Sequence, residues 1–353
     1  MLTNVGNAVS FDGSQRVIPR TFQYSFGLQQ KLPLSIVLDA SYVGSQTVHV
    51  ASPYNMDYLS MSTFLAGQAK STILDTTVPN PFFGVLPANT TLGASANIAA
   101  KYLSYAYPMF TGITMSTNPW GRYRYDGLQL RLQKHFSNAS ARYGGLTTVF
   151  SYTFSKNFQA TTRLNNWDLS ESIVHELVSY DKPQYMSFSG VWDMPFGRKR
   201  AIAANANRWV DGVIGGWSLN YIFTFNSGIP VAGINTLFSC DSYLTDNQTH
   251  DHWFNNTKSC YKAFPNGYYL RTMPDRFPWL RQMDNMTTNL SIAKTFTVTE
   301  RWRFNLRGEA FNLMNHPLYA APDVTYTDAR FGMLPLGQQN FPRLVQVSAK
   351  ILF

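Results

Sequence analysis

Nine segments of this sequence alternate apolar and polar residues with a period of two, and no other feature limits the fold as strongly. Successive side chains of a β-strand point to opposite sides, so this period predicts strands with one apolar and one polar face. In one segment, for example, Trp302, Phe304 and Leu306 alternate with Arg303 and Asn305. The predicted strands are Thr21–Gln30, Ser35–Ser45, Tyr123–Phe136, Gly145–Lys156, Gln184–Met194, Gly216–Asn226, Thr287–Phe296, Arg301–Phe311 and Arg343–Phe353.

The connections between these segments alternate in length, as they do in outer-membrane barrels. The link from Pro195 to Gly215, which we expect to hold a short helix near 209–213, belongs to the side of the short turns. The predicted long loops on the other side run from Gln46 to Arg122, Asn157 to Pro183, Ser227 to Met286 and Asn312 to Pro342. A soluble β-sandwich also has amphipathic strands, but its loops need not sort by length in this way.

Composition favours a membrane barrel over a soluble or helical protein. Charged residues make up 14% of the chain and aromatic residues 15%, whereas soluble globular proteins contain about 25% charged residues. No run of roughly 18 apolar residues occurs, which argues against membrane-spanning helices. The sequence therefore predicts an all-β, antiparallel transmembrane β-barrel in a bacterial outer membrane, with outer-membrane lipid as one partner.

The strand count adds a topological expectation. Nine strands that end on the periplasmic, short-turn side begin on the extracellular side, whereas bacterial single-chain barrels have even strand numbers. We therefore expect residues 1–353 to be the C-terminal part of a single, incomplete barrel whose upstream strands are missing. No signal peptide is visible at residues 1–6. An open sheet leaves two unpaired edges, which predicts aggregation or degradation of the isolated chain.

Other classes of protein lack support in the sequence. The net charge is +9, but the basic residues are dispersed apart from Arg198-Lys199-Arg200, so no nucleic-acid partner is expected. That basic turn either contacts lipid phosphates or is solvated.

No nucleophile elbow, phosphate loop, dinucleotide fingerprint or zinc spacing occurs, so we expect neither enzyme activity nor a cofactor. His316 is interpreted as a turn residue and His250-Asp251-His252 as part of a hydrophilic loop, so no metal site is expected.

Four charged residues of the last two predicted strands are candidates for lining the lumen: Arg303, Arg307, Glu309 and Lys350. An Arg or Lys that faces lipid near the membrane midplane costs about 2–4 kcal/mol, so these side chains should face inward. They form either a substrate path or plug contact, or a cross-strand ion ladder that fills the lumen. The ladder is the interpretation we favour.

The last predicted strand carries a candidate signal for membrane insertion. Its apolar face, which includes Val345, Val347, Ile351 and Phe353, ends in an aromatic residue. Such a strand resembles the signal that the outer-membrane assembly machinery reads by strand pairing. The sequence therefore predicts the barrel assembly machinery as a second partner.

Both cysteines, Cys240 and Cys260, lie in one predicted external loop with polar surroundings. An extracytoplasmic compartment oxidises thiols. We therefore expect these two residues to form a disulfide.

Several stretches together resemble the barrel of Oar-like TonB-dependent transporters, and the resemblance covers essentially the whole chain. They are Tyr24–Pro33, Ala40–Ser45, Asn80–Pro87, Pro108–Gly112, Arg124–Arg131, Ser151–Lys156, Pro195–Gly197, Gly215–Trp217 and Arg307–Pro317. The resemblance implies a signal peptide, an N-terminal β-domain and a plug upstream, and a complete barrel of about twenty-two strands.

The expected function is outer-membrane transport of an unknown substrate, with the TonB system acting only through the missing upstream parts. An alternative is a structural or adhesive barrel whose long loops bind an extracellular polymer or protein. A passive porin is a third possibility.

Overall fold

Nine long strands form the body of the molecule in a computed structural model, which describes residues 4–14, 17–135, 144–165, 173–297, 299 and 301–353. No helix within these residues is long and apolar enough to cross a membrane. The strands are β1 (Arg20–Leu32), β2 (Ile36–Asn55), β3 (Ile113–His135), β4 (Gly145–Ala160), β5 (Gln184–Asp193), β6 (Trp217–Asn226), β7 (Asn285–Thr297), β8 (Arg303–Phe311) and β9 (Leu344–Leu352).

The nine strands form one antiparallel meander in which each strand pairs with its neighbours in chain order. Within the described residues β1 and β9 do not pair with each other, so the sheet is open. The short strand Val9–Phe11 pairs in parallel with the start of β3 and leaves the outer edge of β1 uncovered. The fold is therefore the predicted antiparallel outer-membrane barrel sheet, unclosed here.

All nine predicted strands are present, and two of them, β2 and β3, extend about ten residues beyond the predicted bounds. β2 continues to Asn55 and β3 already begins at Ile113, so the ends of the predicted loop from Gln46 to Arg122 are strand. Register shifts interrupt this extension from Val48 onward, and His49 has a positive φ of 62°. Because each bulge reverses which residues face which side, the two-residue period disappears there and the sequence reads as a loop.

The pairing register aligns one apolar face across all nine strands. Phe26 of β1 lies opposite Tyr42, which lies opposite Leu128, which lies opposite Phe154. On this outward face, the charged residues of the described strands occur only near its two ends. They are Arg20, Arg122, Arg124, Asp126 and Lys156 toward the long loops, and Lys134 and Lys294 toward the short turns.

The opposite, inward face carries charge in the middle of its strands. Asp39 and Arg131 are register partners on β2 and β3, and Arg307 and Glu309 lie on β8. This distribution is the one expected of a barrel wall with lipid on one side and an aqueous interior on the other.

The long connections lie at one end of the sheet. We name them loop 1 (56–112), loop 2 (161–183), loop 3 (227–284) and loop 4 (312–343). Loop 1 contains α1 (Met61–Ala69), α2 (Thr72–Asp75) and α3 (Ala100–Leu103), and the predicted helix of the 194–216 link is α4 (Arg208–Ile214). The loops also contain short strands at Thr77–Pro79, Asn97–Ala99, Glu176–Leu177, Pro230–Ala232, Leu237–Phe238, Tyr261–Lys262 and Arg276–Arg281, and 3-10 turns occur at Pro33–Ser35 and Lys258–Cys260.

The water-excluding core of the described residues lies in the loops and not in the sheet. The ten largest fully buried side chains all belong to loops 1 to 4: Phe64, Phe254, Phe277, Phe331, Leu59, Leu74, Ile234, Leu280, Val178 and Val231. The outward apolar side chains of the strands stay accessible on the protein alone, for example Phe26 and Val347. Lipid is therefore the medium that completes the burial of the sheet.

The two faces of β6 provide a direct test of this arrangement. Phe223 faces outward in a row with Phe188 and Phe150, and Thr224 faces inward. In protein purified from the host outer membrane and reconstituted in phospholipid vesicles, Phe223→Arg should lower the free energy of unfolding by about 2–4 kcal/mol. Thr224→Arg should change it by less than about 1 kcal/mol. Urea unfolding of both variants measures the difference, and equal effects would contradict the assignment of faces.

Candidate functional site: the loop cap and the inward face

Loop 3 is the centre of a cap, formed by loops 1 to 4, at the end of the sheet. Its contact with loop 4 combines backbone hydrogen bonds with an aromatic core. The backbone N–H of Trp253 donates to the Gly332 carbonyl at 2.8 Å, and that of Leu334 donates to the His250 carbonyl at 2.8 Å. The rings of Phe254 and Phe331 meet edge to face with centroids 5.2 Å apart. Loops 3 and 4 thus share one core.

The contact between loops 3 and 1 is centred on Tyr268. Its ring packs against Phe64 at 6.0 Å between centroids, and its hydroxyl donates to Asp75 Oδ1 at 2.6 Å. Burial, together with this bond to a carboxylate, raises the pKa of Tyr268. Since the hydroxyl keeps its proton, it remains a hydrogen-bond donor at any physiological pH and holds loop 1 on loop 3.

Two ion pairs join loop 3 to loop 2. Arg281 Nη2 lies 2.7 Å from Asp181 Oδ2, and the Asp181 side chain is only 1% exposed. Arg276 Nη1 lies 2.6 Å from Glu176 Oε1. Such pairs hold their elements in place because removing one partner leaves a charge buried without compensation. Loop 3 therefore contacts each of the other three long loops.

A disulfide constrains loop 3 internally. Cys240 and Cys260 are bonded, with their Cα atoms 5.2 Å apart and a sequence separation of 20. The backbone N–H of Ser239 donates to the Cys260 carbonyl at 2.9 Å. The next residue, Tyr261, is buried, and burial raises the pKa of its hydroxyl. The bridge thus joins the Leu237–Phe238 and Tyr261–Lys262 hairpin to the core shared with loop 4.

The cap contains clefts that are open to a ligand. One of about 510 Å³ lies between loops 2 and 3 and the end of β2, and the residues that line it include Asn165, Asn235, Asn266, Phe264 and Tyr269. Part of this amide lining is structural, since Asn165 and the backbone of Arg271 exchange two hydrogen bonds. Amides beside aromatic rings suit a polar ligand that carries hydroxyl or carbonyl groups.

A larger cleft, of about 810 Å³, lies beside the irregular extension of β2 and β3. It is lined by Val17, Val48, His49, Pro119, Trp120, Arg122, Ala160, Ile173 and His175. Nearby, the guanidinium of Arg163 lies over the rings of Tyr54 and Trp120 at 5.6 and 5.3 Å. The bulged extensions of β2 and β3, which the sequence had indicated as loop, therefore contribute directly to the cap.

The four lumen candidates lie on one face of β8 and β9. Arg307 Nη1 and Glu309 Oε1 are 3.6 Å apart, and Gln346 Nε2 donates to the other Glu309 oxygen at 2.5 Å. Arg303 lies opposite Leu352 and Lys350 opposite Asn305. The two opposite charges that interact, Arg307 and Glu309, therefore lie on the same strand, β8. On the neighbouring strand β9, the partner of Glu309 is the side-chain amide of Gln346. A cleft of about 220 Å³ on this face is lined in part by Arg307, Glu309, Asn220 and Ser291.

The candidate insertion signal lies on the free edge strand β9. Val345, Val347 and Ile351 are exposed on its outward face. Phe353 is 90% exposed, and its ring contacts Trp302 at 5.4 Å between centroids. The edge is available for strand pairing, and recognition by the assembly machinery stays a prediction.

The histidines flagged in the sequence have local partners. His250 Nδ1 lies 3.0 Å from Asp251 Oδ1, and His252 Nδ1 lies 2.9 Å from Asn256 Oδ1. The backbone N–H of His316 donates to Asn312 Oδ1 at 3.0 Å in a turn. Within the part of the chain that the structure describes, no group of three or more His, Cys, Asp or Glu residues could hold a metal ion.

The residues that build the cap were not identified from the sequence. Asp181 and Arg281 are 100 residues apart and lie in segments without periodicity, so no local pattern pairs them. Within these loops, the sequence pointed only to the disulfide between Cys240 and Cys260.

Loss of the disulfide should loosen loop 3 without disturbing the sheet. Cys240→Ser combined with Cys260→Ser removes a constraint on the open loop worth about 3 kcal/mol. We expect much faster proteolysis between positions 240 and 260, with an unchanged heat-dependent shift of the folded protein on electrophoresis. Wild-type protein treated with a reducing agent is the control, and unchanged protection in the double variant would contradict this role.

The Asp181–Arg281 pair should matter far more than an exposed one. Asp181→Asn leaves the Arg281 guanidinium without an anionic partner and should destabilise the contact of loops 2 and 3 by about 3–5 kcal/mol. Amide hydrogen exchange at Asn157, whose N–H donates to Asp181 Oδ1, reports this opening. Arg330→Gln, which removes the solvent-exposed pair with Asp328, is the control and should cost less than about 1 kcal/mol. Comparable exchange rates in the two variants would refute the difference.

Comparison with known proteins agrees with this architecture. None of the curated proteins matches the chain. A solved structure, the outer membrane transporter YddB from Escherichia coli, is similar over 99% of this chain and 34% of its own, with a TM-score of 0.43 and 9% sequence identity. The chain thus spans about a third of that transporter, and a likeness so distant carries no functional argument. The outer membrane beta barrel domain family matches residues 3–346. The protein therefore belongs to the outer membrane beta barrel domain family and resides in the outer membrane.

Proposed function

We propose that this chain is the barrel part of an Oar-like TonB-dependent transporter, which takes up a substrate that the loop cap captures outside the cell. The observation that carries the proposal is the convergence of the other three long loops on loop 3, at one end of a sheet whose inward face carries charge in mid-strand. A cap that encloses clefts suits capture of a solute, and a charged inward face suits its passage.

The connections within the cap also provide a way to couple binding to movement. Loop 3 shares a core with loop 4 and contacts loop 1 through Tyr268 and loop 2 through Arg281. A ligand that binds one loop therefore changes the contacts of the others, because packed interfaces shift between discrete arrangements. In the proposed cycle the TonB system acts through upstream parts of the full protein, and the inward residues Arg307 and Glu309 line the path.

A second function, adhesion to an extracellular polymer or protein, has its own supporting observation. Several large apolar side chains of the loops are exposed: Phe83, Val85, Tyr180, Leu336 and Phe341. Exposed aromatic and apolar side chains are typical of surfaces that bind other macromolecules.

The transport proposal is tested in the natural host. Three strains are compared: one that lacks the gene, one that carries it, and one that carries it with TonB inactivated. Mass spectrometry then measures the depletion of solutes from the medium. We expect at least one solute whose depletion needs both the gene and TonB. Depletion that persists without TonB would instead support a passive porin, and adhesion of cells to a polymer without any depletion would support the adhesive function.

Variants of the inward face then test the path. Arg307→Gln removes the positive charge beside Glu309 and should at least halve the uptake rate, because the substrate path loses a fixed charge. Lys199→Gln, a loss of the same charge in the 194–216 link at the opposite end of the sheet, is the matched control and should leave uptake unchanged. Equal uptake by the two variants would show that Arg307 does not line the path.

A further inference from the structure

The link between β5 and β6, residues 194–216, carries an unexplained apolar and basic surface. It lies at the short-turn end of the sheet and contains α4, which begins after Asn207, whose side chain accepts a hydrogen bond from the Val210 N–H at 2.9 Å. The basic turn Arg198-Lys199-Arg200 precedes the helix. The sequence alone is consistent with two interpretations of this turn: it is solvated, or it contacts lipid phosphates.

The contacts of Lys294 fix where α4 lies. Lys294 is on the outward face of β7, and its Nζ donates to the carbonyls of Val213 at 3.0 Å and Gly215 at 2.6 Å. The same ammonium lies 4.8 Å from the ring centroids of both Trp217 and Phe296. Trp217 Nε1 donates to the Val213 carbonyl at 2.9 Å. The C-terminal end of α4 is therefore fixed to the outward, lipid-facing side of the wall and not to its interior.

This arrangement also explains how a lysine is tolerated on that face. A charged residue that faces lipid is unfavourable, yet Lys294 is only 5% exposed. Backbone carbonyls at the end of a helix carry partial negative charge and offset the cost of desolvating the ammonium. Since α4 covers Lys294 at the short-turn end of the apolar face, the helix lies at the level where hydrocarbon meets the headgroups of the periplasmic leaflet.

The free side of α4 is apolar. Trp209 is 86% exposed and Val213 is 70% exposed. They are four residues apart and so share one face of the helix. No protein group in the described residues buries this face. Tryptophan favours the membrane interface, where its ring and its N–H meet different environments.

The charge of the link is complementary to anionic lipid. Arg198, Lys199 and Arg208 are exposed. The acidic residue of the link, Asp211, already accepts a hydrogen bond from the Arg198 backbone N–H at 2.6 Å. We infer that residues 194–216 bind anionic phospholipids of the periplasmic leaflet, with Trp209 and Val213 in the interfacial region and the three basic side chains on lipid phosphates. This inference needs only the membrane location and stands whether or not the chain transports a solute.

Depth-dependent fluorescence quenching tests the apolar contact. Protein purified from the outer membrane of the host is reconstituted in phosphatidylcholine vesicles that carry bromine either near the headgroup or near the end of the acyl chain. The signal of Trp209 is the difference between wild type and Trp209→Phe. We expect it to be quenched more strongly by the shallow bromine. As the control, the Trp253→Phe difference should show little quenching, because Trp253 lies in loop 3 and its Nε1 is bonded to the Arg281 carbonyl. A Trp209 signal that neither bromine quenches would overturn the inference.

Lipid selectivity tests the charge. The combined variant Arg198→Gln, Lys199→Gln and Arg208→Gln should retain roughly tenfold less phosphatidylglycerol than wild type in native mass spectrometry, since each basic residue near an anionic surface adds attraction. The matched control Lys70→Gln, Lys262→Gln and Arg330→Gln removes equal charge from the loop cap and should retain as much as wild type. The heat-dependent electrophoretic shift shows that each variant is folded. Undiminished retention by a folded link variant would refute the phosphate contacts.

Discussion

Hydrogen bonding of the backbone inside hydrocarbon is the constraint on which this structure depends. Without water, an unpaired N–H or C=O group costs several kcal/mol, so a membrane-spanning strand needs a partner on each side. A meander satisfies this requirement between neighbours with the shortest connections, and the seven inner strands meet it fully. The outer edges of β1 and β9 do not, within the described residues. Both strands run in the same direction, so closing them on each other would need a parallel pair.

Because of the same constraint, apolar side chains are buried differently in the sheet and in the loops. The outward side chains of the strands are covered by lipid, and the inward ones face a polar interior, so the sheet has little need of a core of its own. The loops stand in water and bury their own apolar side chains, which is why Phe254, Phe277 and Phe331 lie there. The cap consequently behaves as a small globular unit with a disulfide and buried ion pairs. Its stability can change without altering the sheet.

The sequence predicted what depends on local periodicity and missed what depends on distant contacts. The strands, their faces and their order follow from the two-residue period, because one apolar face must meet lipid along the whole wall. The irregular extension around His49 was lost because bulges cancel that period. Arg307 and Glu309 were predicted to face inward, and their pairing along one strand instead of across strands needed coordinates. The convergence of the loops on loop 3 has no local signature at all.

Lys294 shows how an exception to the pattern marks a site. The segment around Leu290 and Ile292 gave the shortest alternation in the sequence, because Thr288 precedes these two residues on the outward face and Lys294 follows them. An exception of this kind persists only where another part of the structure compensates for it. The carbonyls of Val213 and Gly215 supply the compensation, and they come from the link that carries Trp209 at the membrane boundary. The charge that weakened the strand signal is thus the contact that fixes α4 to the lipid-facing wall.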